Sequence, residues 1–203
     1  MSHCFPNNGP IRLVLTALVF AGLAHSVYAR KKDPEFATSA NDPVLRGAIA
    51  SLAPSVDPAE AQQVTEIAYT IGRDLRKELK VVWPPGVMNF LVNTGRRKGG
   101  LCFQFAERLE LRLTEQKWKT LEFHWAESFE RTLGEHNVIV VTAKGQAFSR
   151  GIIVDNWRYG GRLVWGFAVD DPHYQWHENK PQFDKVLSRR VAPKPSPSMQ
   201  AKE

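Results

Sequence analysis

An α+β fold, with N-terminal helices packed on an antiparallel sheet, is predicted by a change of pattern along the chain. Between Asp42 and about Thr114 the chain has helix start signals, and the apolar residues from Val64 to Leu79 recur every three or four positions, which is the spacing of a helix face. From Lys119 onwards they alternate or form short β-branched runs, as strands do. The chain has 203 residues and is 43% hydrophobic, which suits a single domain over residues 42–190.

The helical half begins with two similar start signals. Asp42-Pro43 and Asp57-Pro58 each put an aspartate at the N-cap and a proline at the first helical position. The first signal predicts a short helix, and the second predicts an amphipathic helix of about six turns. Two more helices are expected, a short one over residues 87–92 and one from Leu101 to near Thr114.

The strand half reads as a meander. Four strands are expected, at residues 119–128, 137–141, 151–154 and 163–169. A turn at residues 144–146 joins the second strand to the third as a hairpin.

Both ends of the chain differ in composition from this domain. An apolar run from Leu13 to Ala24, followed by small residues before Ala29, predicts a cleaved signal peptide over residues 1–29. Residues 30–41 read as a polar linker, and residues 191–203 as a proline-rich tail that is too polar to pack. We therefore expect export to the periplasm or the extracellular space. Membrane association is expected only if the basic residues after the cleavage site leave the signal uncleaved.

The positive charge does not indicate nucleic-acid binding. The formal net charge is +6, but the basic residues form only short clusters, such as residues 30–32 and 96–98. A nucleic-acid-binding chain would show a basic stripe interleaved with aromatic residues. A solvated basic surface is the interpretation that we adopt.

Cys102 is the residue that carries the functional prediction. Removal of the signal peptide would take Cys4 with it and leave a single thiol. Cys102 lies just past Gly99-Gly100, in the first turn of a predicted helix whose first backbone N–H groups and positive dipole end favour a thiolate and an oxyanion. Gly100 would let a substrate approach the backbone closely. For the second oxyanion donor, Asn89, Asn93 and Gln104 are open alternatives by residue type.

His136 and Asp155 supply a base and an acid. His136 opens the strand before the predicted hairpin turn, and Asp155 closes the strand after it. Counting outward from the turn puts the two residues nearly opposite each other, within reach of a hydrogen bond. Such a bond would fix the tautomer of the imidazole. Each residue alone is equally consistent with an ordinary turn or cap.

These segments resemble the transglutaminase-like group of papain-fold cysteine enzymes. The residues that carry the resemblance are 100–106, 136–140 and 152–155, within a core of about residues 84–169. The resemblance implies a Cys102 nucleophile, a His136 base and an orienting Asp155 that act on amide or thioester carbonyls, with no metal or cofactor. Asn137 departs from the family, which often has an aromatic residue there.

The predicted function is hydrolysis or acyl transfer at a peptide, isopeptide or amide bond. The partner would be a peptide or protein, with a cell-envelope protein or peptidoglycan as candidates. Trp157 and Trp165 belong to an aromatic-rich stretch that could line the substrate groove with Gly100. The same groove would serve the alternative, a non-catalytic envelope binding module.

Other histidines suggest a weaker alternative. His173 and His177 are four residues apart, a spacing that can hold zinc on a helix, but their proline-containing context reads as a loop. His124 is expected to be a structural histidine on a strand.

Overall fold

The computed structural model describes residues 34–191, so the predicted signal peptide and most of the predicted tail lie outside the described residues. In this part of the chain the fold is α+β, with five helices and a six-stranded antiparallel sheet. The helices are α1 (Pro43–Ala50), α2 (Pro58–Glu78), α3 (Pro85–Asn93), α4 (Cys102–Leu113) and α5 (Lys180–Val191). The strands are β1 (Glu35–Phe36), β2 (Leu121–Ser128), β3 (His136–Ala143), β4 (Ile152–Asp155), β5 (Val164–Phe167) and β6 (His177–Glu178).

The two predicted helix starts are confirmed. The Asp42 side chain accepts hydrogen bonds from the backbone N–H groups of Val44 and Leu45 at the start of α1. The Asp57 side chain accepts one from Ala59 at the start of α2. Because these carboxylates satisfy N–H groups that a helix leaves unpaired, they determine where each helix begins.

The sheet has the strand order β1-β5-β4-β3-β2-β6, and every neighbouring pair is antiparallel. Strands β3 and β4 pair with Val140 opposite Ile153. The connection between them is longer than a tight turn, because a short 3₁₀ helix, Phe148–Arg150, precedes β4. The start of β3 and the end of β4 therefore lie at the same end of the sheet.

The two faces of the sheet are covered differently. On one face, Ile139 and Val141 of β3 belong to the main core, to which α1, α2, α4 and α5 contribute. On the other face, Val138 and Val140 pack with Trp176 in a smaller cluster. Strand side chains alternate between faces, so His136 shares the second face and Asn137 the first.

Four elements differ from the sequence prediction. The predicted linker contains β1, which pairs with β5 and shields that edge of the sheet. Residues 177–191 form β6 and α5, for which no start signal was recognised. The last long strand, expected over residues 163–169, is confined to Val164–Phe167 because the chain turns at Ala168.

Within residues 34–191, none of the helices combines the length and apolar character that crossing a membrane requires.

Candidate functional site

Cys102 is the first residue of α4 and so lies in the first turn of this helix, as predicted, although the helix begins one residue later than expected. The conformation of the backbone that leads into Cys102 depends on Gly100. This glycine has a φ of +121°, and its absent Cβ leaves room for the side chain of Met88. The Gln104 side-chain oxygen accepts hydrogen bonds from the backbone N–H groups of Gly100 (2.6 Å) and Leu101 (3.0 Å). Gln104 therefore caps the start of this helix and holds the backbone in front of the cysteine.

His136 and Asp155 form the hydrogen bond that the hairpin count predicted. His136 Nε2 lies 2.8 Å from Asp155 Oδ2, and both side chains are buried. In the observed register Asp155 lies across from Val138, so the two residues are diagonal neighbours on one face of the sheet. A carboxylate can only accept a hydrogen bond, so the imidazole carries its proton on Nε2.

The other ring nitrogen, Nδ1 of His136, is also buried and makes no hydrogen bond to any residue from 34 to 189. The thiol of Cys102 lies beside this ring, close enough to contribute to the pKa of His136. The same sulfur lies 3.6 Å from the Glu135 carbonyl oxygen and 3.6 Å from Nδ2 of Asn137. The structure therefore brings together Cys102, His136 and Asp155.

Burial and charge act in opposite directions on this pair. Burial alone would lower the pKa of His136, but the charge and hydrogen bond of Asp155, followed by Cys102, raise it above its usual value. Burial alone would raise the pKa of Asp155, but His136 and then Arg158 hold it well below its usual range. The acid is therefore ionised at neutral pH, and the protonated form of the imidazole is favoured.

Arg158 is a member of this network that the sequence analysis missed. Its Nε donates to Asp155 Oδ2 at 2.9 Å, and its Nη2 donates to Asp171 Oδ2 at 2.6 Å. The backbone N–H groups of Trp157 and Arg158 both donate to the other oxygen of Asp155, at 2.9 and 3.1 Å. Asp155 thus has donors on both oxygens, and Arg158 joins it to a second buried aspartate.

Three aromatic rings enclose His136. Their centroids lie 4.9 Å (Trp157), 4.8 Å (Tyr174) and 5.4 Å (Trp176) from that of the imidazole. The Arg158 guanidinium also lies over Tyr174, at 4.5 Å from the ring centroid. The loop that carries Asp171, Tyr174 and Trp176 therefore forms a wall of the site. No periodicity in its sequence indicated that it folds back over the sheet.

The predicted substrate-binding residues are distributed over two places. Trp157 contacts His136, and its indole N–H donates to the Gly100 carbonyl at 2.9 Å. Trp165 instead belongs to the main core and lines a groove of about 450 Å³ between α1 and β5. The structure brings Trp157 and Gly100 to the triad and leaves Trp165 on the other face of the sheet.

The remaining histidines take other positions. His124 bonds to Glu178 at 2.7 Å and to Thr142 at 2.9 Å, as a structural histidine does. His177 lies in β6 at the sheet edge. Among residues 34–189, no three His, Cys, Asp or Glu side chains lie close enough together to hold a metal ion.

Chemically, the site combines a thiol, an imidazole and an ionised acid. One imidazole nitrogen is hydrogen-bonded to the acid, and the other has no hydrogen-bond partner among the described residues. The site is closed to solvent, since Cys102 is 9% exposed and His136 and Asp155 are 0% and 1% exposed. No protein-family model, no curated protein and no solved structure matches this chain.

Proposed function

We propose that this protein is a cysteine hydrolase or acyl transferase that acts on a peptide, isopeptide or amide bond, with Cys102 as the nucleophile. The observation that carries the proposal is the state of His136. Its Nε2 is bound to Asp155, while its buried Nδ1 has no hydrogen-bond partner among the described residues and the Cys102 thiol is nearby. A base with one nitrogen oriented and the other available is what a cysteine nucleophile requires.

In this mechanism the thiol proton passes to Nδ1 of His136 first, which gives a thiolate beside an imidazolium, and the Cys102 sulfur then attacks the carbonyl carbon. The carbonyl π electrons move to the oxygen, which becomes an oxyanion facing the start of α4. When the intermediate collapses, the carbon–nitrogen bond breaks and His136 gives its proton to the leaving amine. Water or a second amine then attacks the thioester by the same steps in reverse.

Asp155 acts on this chemistry through His136. Its carboxylate holds the ring in one orientation and stabilises the imidazolium formed when the thiol loses its proton. Arg158 and two backbone N–H groups hold the carboxylate itself. Because all these donors are nearly or fully buried, little reorganisation is needed when charge moves between sulfur and ring.

The proposal extends to fold, location and partner. The order of a helix-starting cysteine, a strand-opening histidine and a strand-closing aspartate supports a transglutaminase-like core. The N-terminal sequence supports export to the periplasm or outside the cell, and with it a peptide or protein substrate such as a cell-envelope protein or peptidoglycan.

One observation favours a second candidate, a non-catalytic binding module of the cell envelope. The three triad side chains are covered by Trp157, Tyr174 and their neighbours, so a substrate needs part of this wall to move. A binding module would need no such movement. In that case Cys102→Ser would keep binding to isolated envelope fractions at the wild-type level, whereas an enzyme would lose turnover.

The test is the rate at which iodoacetamide alkylates Cys102 between pH 5 and 9. We expect the wild type to react at pH 6 and His136→Ala to react only at alkaline pH, because an imidazolium beside the sulfur favours the reactive thiolate. Cys102→Ser provides the blank, including any labelling of Cys4. If both proteins became reactive only near the ordinary thiol pKa of about 8.5, Cys102 would not be an activated nucleophile.

A further inference from the structure

The side chain of Asn137 reaches the candidate nucleophile from the strand beside it. Its Nδ2 lies 3.6 Å from the Cys102 sulfur and 3.2 Å from Oε1 of Glu135. Asn137 is 5% exposed, so this amide is a buried polar group next to the thiol. Its position on β3 turns it toward α4, on the opposite face from His136.

The orientation of this amide is determined by Trp125. The Trp125 indole N–H donates to Oδ1 of Asn137 at 2.9 Å, in a buried contact. An indole nitrogen can only donate, so the amide oxygen must face the tryptophan. The NH₂ group is therefore directed at Cys102 and Glu135. If the amide oxygen and nitrogen were exchanged, the NH₂ group would face the Trp125 indole N–H. Two donors that face each other in a buried site cost free energy, because neither has an acceptor.

We propose that Asn137 supplies the side-chain hydrogen bond that stabilises the oxyanion formed at Cys102, a role that rests on the proposed function. An oxyanion donor must lie about 2.7–3.1 Å from the oxygen of the tetrahedral intermediate. That oxygen sits on the carbon bonded to the sulfur. An N–H donor held 3.6 Å from the sulfur is within reach of it after a small adjustment.

The other amides near the cysteine are less suitable. Gln104 already uses its side-chain oxygen to cap Gly100 and Leu101, which fixes it on the helix start. Asn89 and Asn93 lie on α3, the helix whose buried Met88 side chain lies against Gly100. Asn137 is the amide for which the structure gives a contact with the sulfur. With the backbone N–H of Cys102 it would complete a pair of donors.

Two reagents separate this role from a purely structural one. Alkylation by iodoacetamide displaces iodide at a saturated carbon and forms no oxyanion. Acylation by p-nitrophenyl acetate forms a bond between sulfur and the acetyl carbon, generates an oxyanion, and breaks the bond to p-nitrophenolate. The thiol proton passes to His136 and then to solvent. Only the second reaction needs the amide of Asn137.

The experiment compares both rates in the wild type, Asn137→Ala and Asn137→Ser, with Gln63→Ala as a remote control for loss of an amide. We expect acylation of both Asn137 variants to fall about 100-fold or more, as for loss of one oxyanion donor. Alkylation should change less than about threefold, because the thiol and imidazole remain. Circular dichroism and urea unfolding verify that each variant is folded.

Each outcome bears on the proposal. Equal acylation of the wild type and both Asn137 variants would overturn the role of Asn137 and leave the proposed function standing. Parallel losses of alkylation and acylation in both folded variants would also overturn it, since Asn137 would then act on the thiol. A wild-type protein that is alkylated but never acylated would overturn the proposed function and this role with it.

Discussion

Asp155 and Glu110 are buried to nearly the same extent, 1% and 0% exposed, yet their surroundings are opposite. Asp155 accepts hydrogen bonds from His136, from Arg158 and from two backbone N–H groups. The side chain of Glu110, on α4 two turns after Cys102, has no hydrogen-bond partner among the described residues. Burial raises the pKa of Glu110 to about 8, and the negative charges of Glu107 and Asp184 add to that effect.

The difference shows that donors, rather than burial, decide the charge of a carboxyl group in this core. Where the fold supplies a cation and backbone N–H groups, the acid stays ionised and can orient a histidine. Where a buried acid has like charges nearby and no hydrogen-bond donor among the described residues, it holds its proton at neutral pH. Both carboxyls are buried in the same domain, so the comparison can be tested by substitutions that change the surroundings of one acid at a time.

The largest effect is expected from Arg158→Met, which removes the cation from Asp155. It removes the guanidinium from two buried carboxylates, Asp155 and Asp171, while the hydrogen bonds that each accepts from other groups stay in place. Removing one partner of a buried ion pair costs about 3–5 kcal/mol, and we expect a loss of unfolding free energy at the upper end of that range. Urea unfolding at pH 7 measures it.

Arg158→Lys is the matched control, because it keeps the charge but loses the two-sided contact with both aspartates. We expect it to recover part of the lost stability and part of the alkylation rate of Cys102. A loss below about 1 kcal/mol in Arg158→Met would mean that His136 and the two backbone N–H groups suffice to keep Asp155 ionised.

A second effect is expected from Glu110→Gln and depends on pH. The folded-state pKa of Glu110 is about 8, above its unfolded value near 4.5, so the folded protein loses stability as pH rises from about 4.5 to 8. Each pKa unit corresponds to about 1.4 kcal/mol, so the free energy of unfolding that Glu110→Gln recovers at pH 8 is at most about 5 kcal/mol. At pH 5 the variant should differ little from the wild type.

Urea unfolding of both proteins at pH 5 and pH 8 measures this difference. Glu107→Gln is the control, because it removes a neighbouring charge and leaves the buried carboxyl in place. A stability gain of Glu110→Gln that is the same at both pH values would show that Glu110 is already ionised at pH 5.

The smallest effect is expected from His136→Gln, measured in the Glu110→Gln background so that the two titrations do not overlap. The folded-state pKa of His136 is raised, so its contribution to stability is present below pH 6.5 and is lost as pH rises through the raised value. Between pH 7 and pH 9 we expect the free energy of unfolding of Glu110→Gln to fall by about 1–2 kcal/mol more than that of the double variant that also carries His136→Gln. Parallel stability curves would contradict a charged His136.

The sequence carried enough local information to predict the helices and the base–acid pair. Asp42 and Asp57 mark their helices because capping is a local interaction, and the hairpin count needs only a turn and strand alternation. The count missed the diagonal register, since a 3₁₀ turn lengthens the connection between β3 and β4. It nevertheless identified the correct pair, because diagonal neighbours share a face.

Other parts of the site could not be predicted, because they depend on contacts between distant segments. Asp171 meets Arg158 only because an irregular loop folds back across the sheet, and loops of this kind show no periodic signal. Asn137 follows the histidine directly, but its role depends on which face of β3 meets α4 and on a bond from Trp125. Neither relation is visible in the spacing of residues.

The hydrogen bond from Trp157 to the Gly100 carbonyl has a consequence for the order of folding. It joins positions 57 residues apart, whereas His136 and Asp155 are separated by only 19. Closing a longer loop costs more chain entropy, so we expect the histidine and the acid to meet first, within the β3–β4 unit. The cysteine would reach its base in a later long-range contact. A partly folded chain would then carry an ordinary thiol, and reactivity would arise only once the fold is complete.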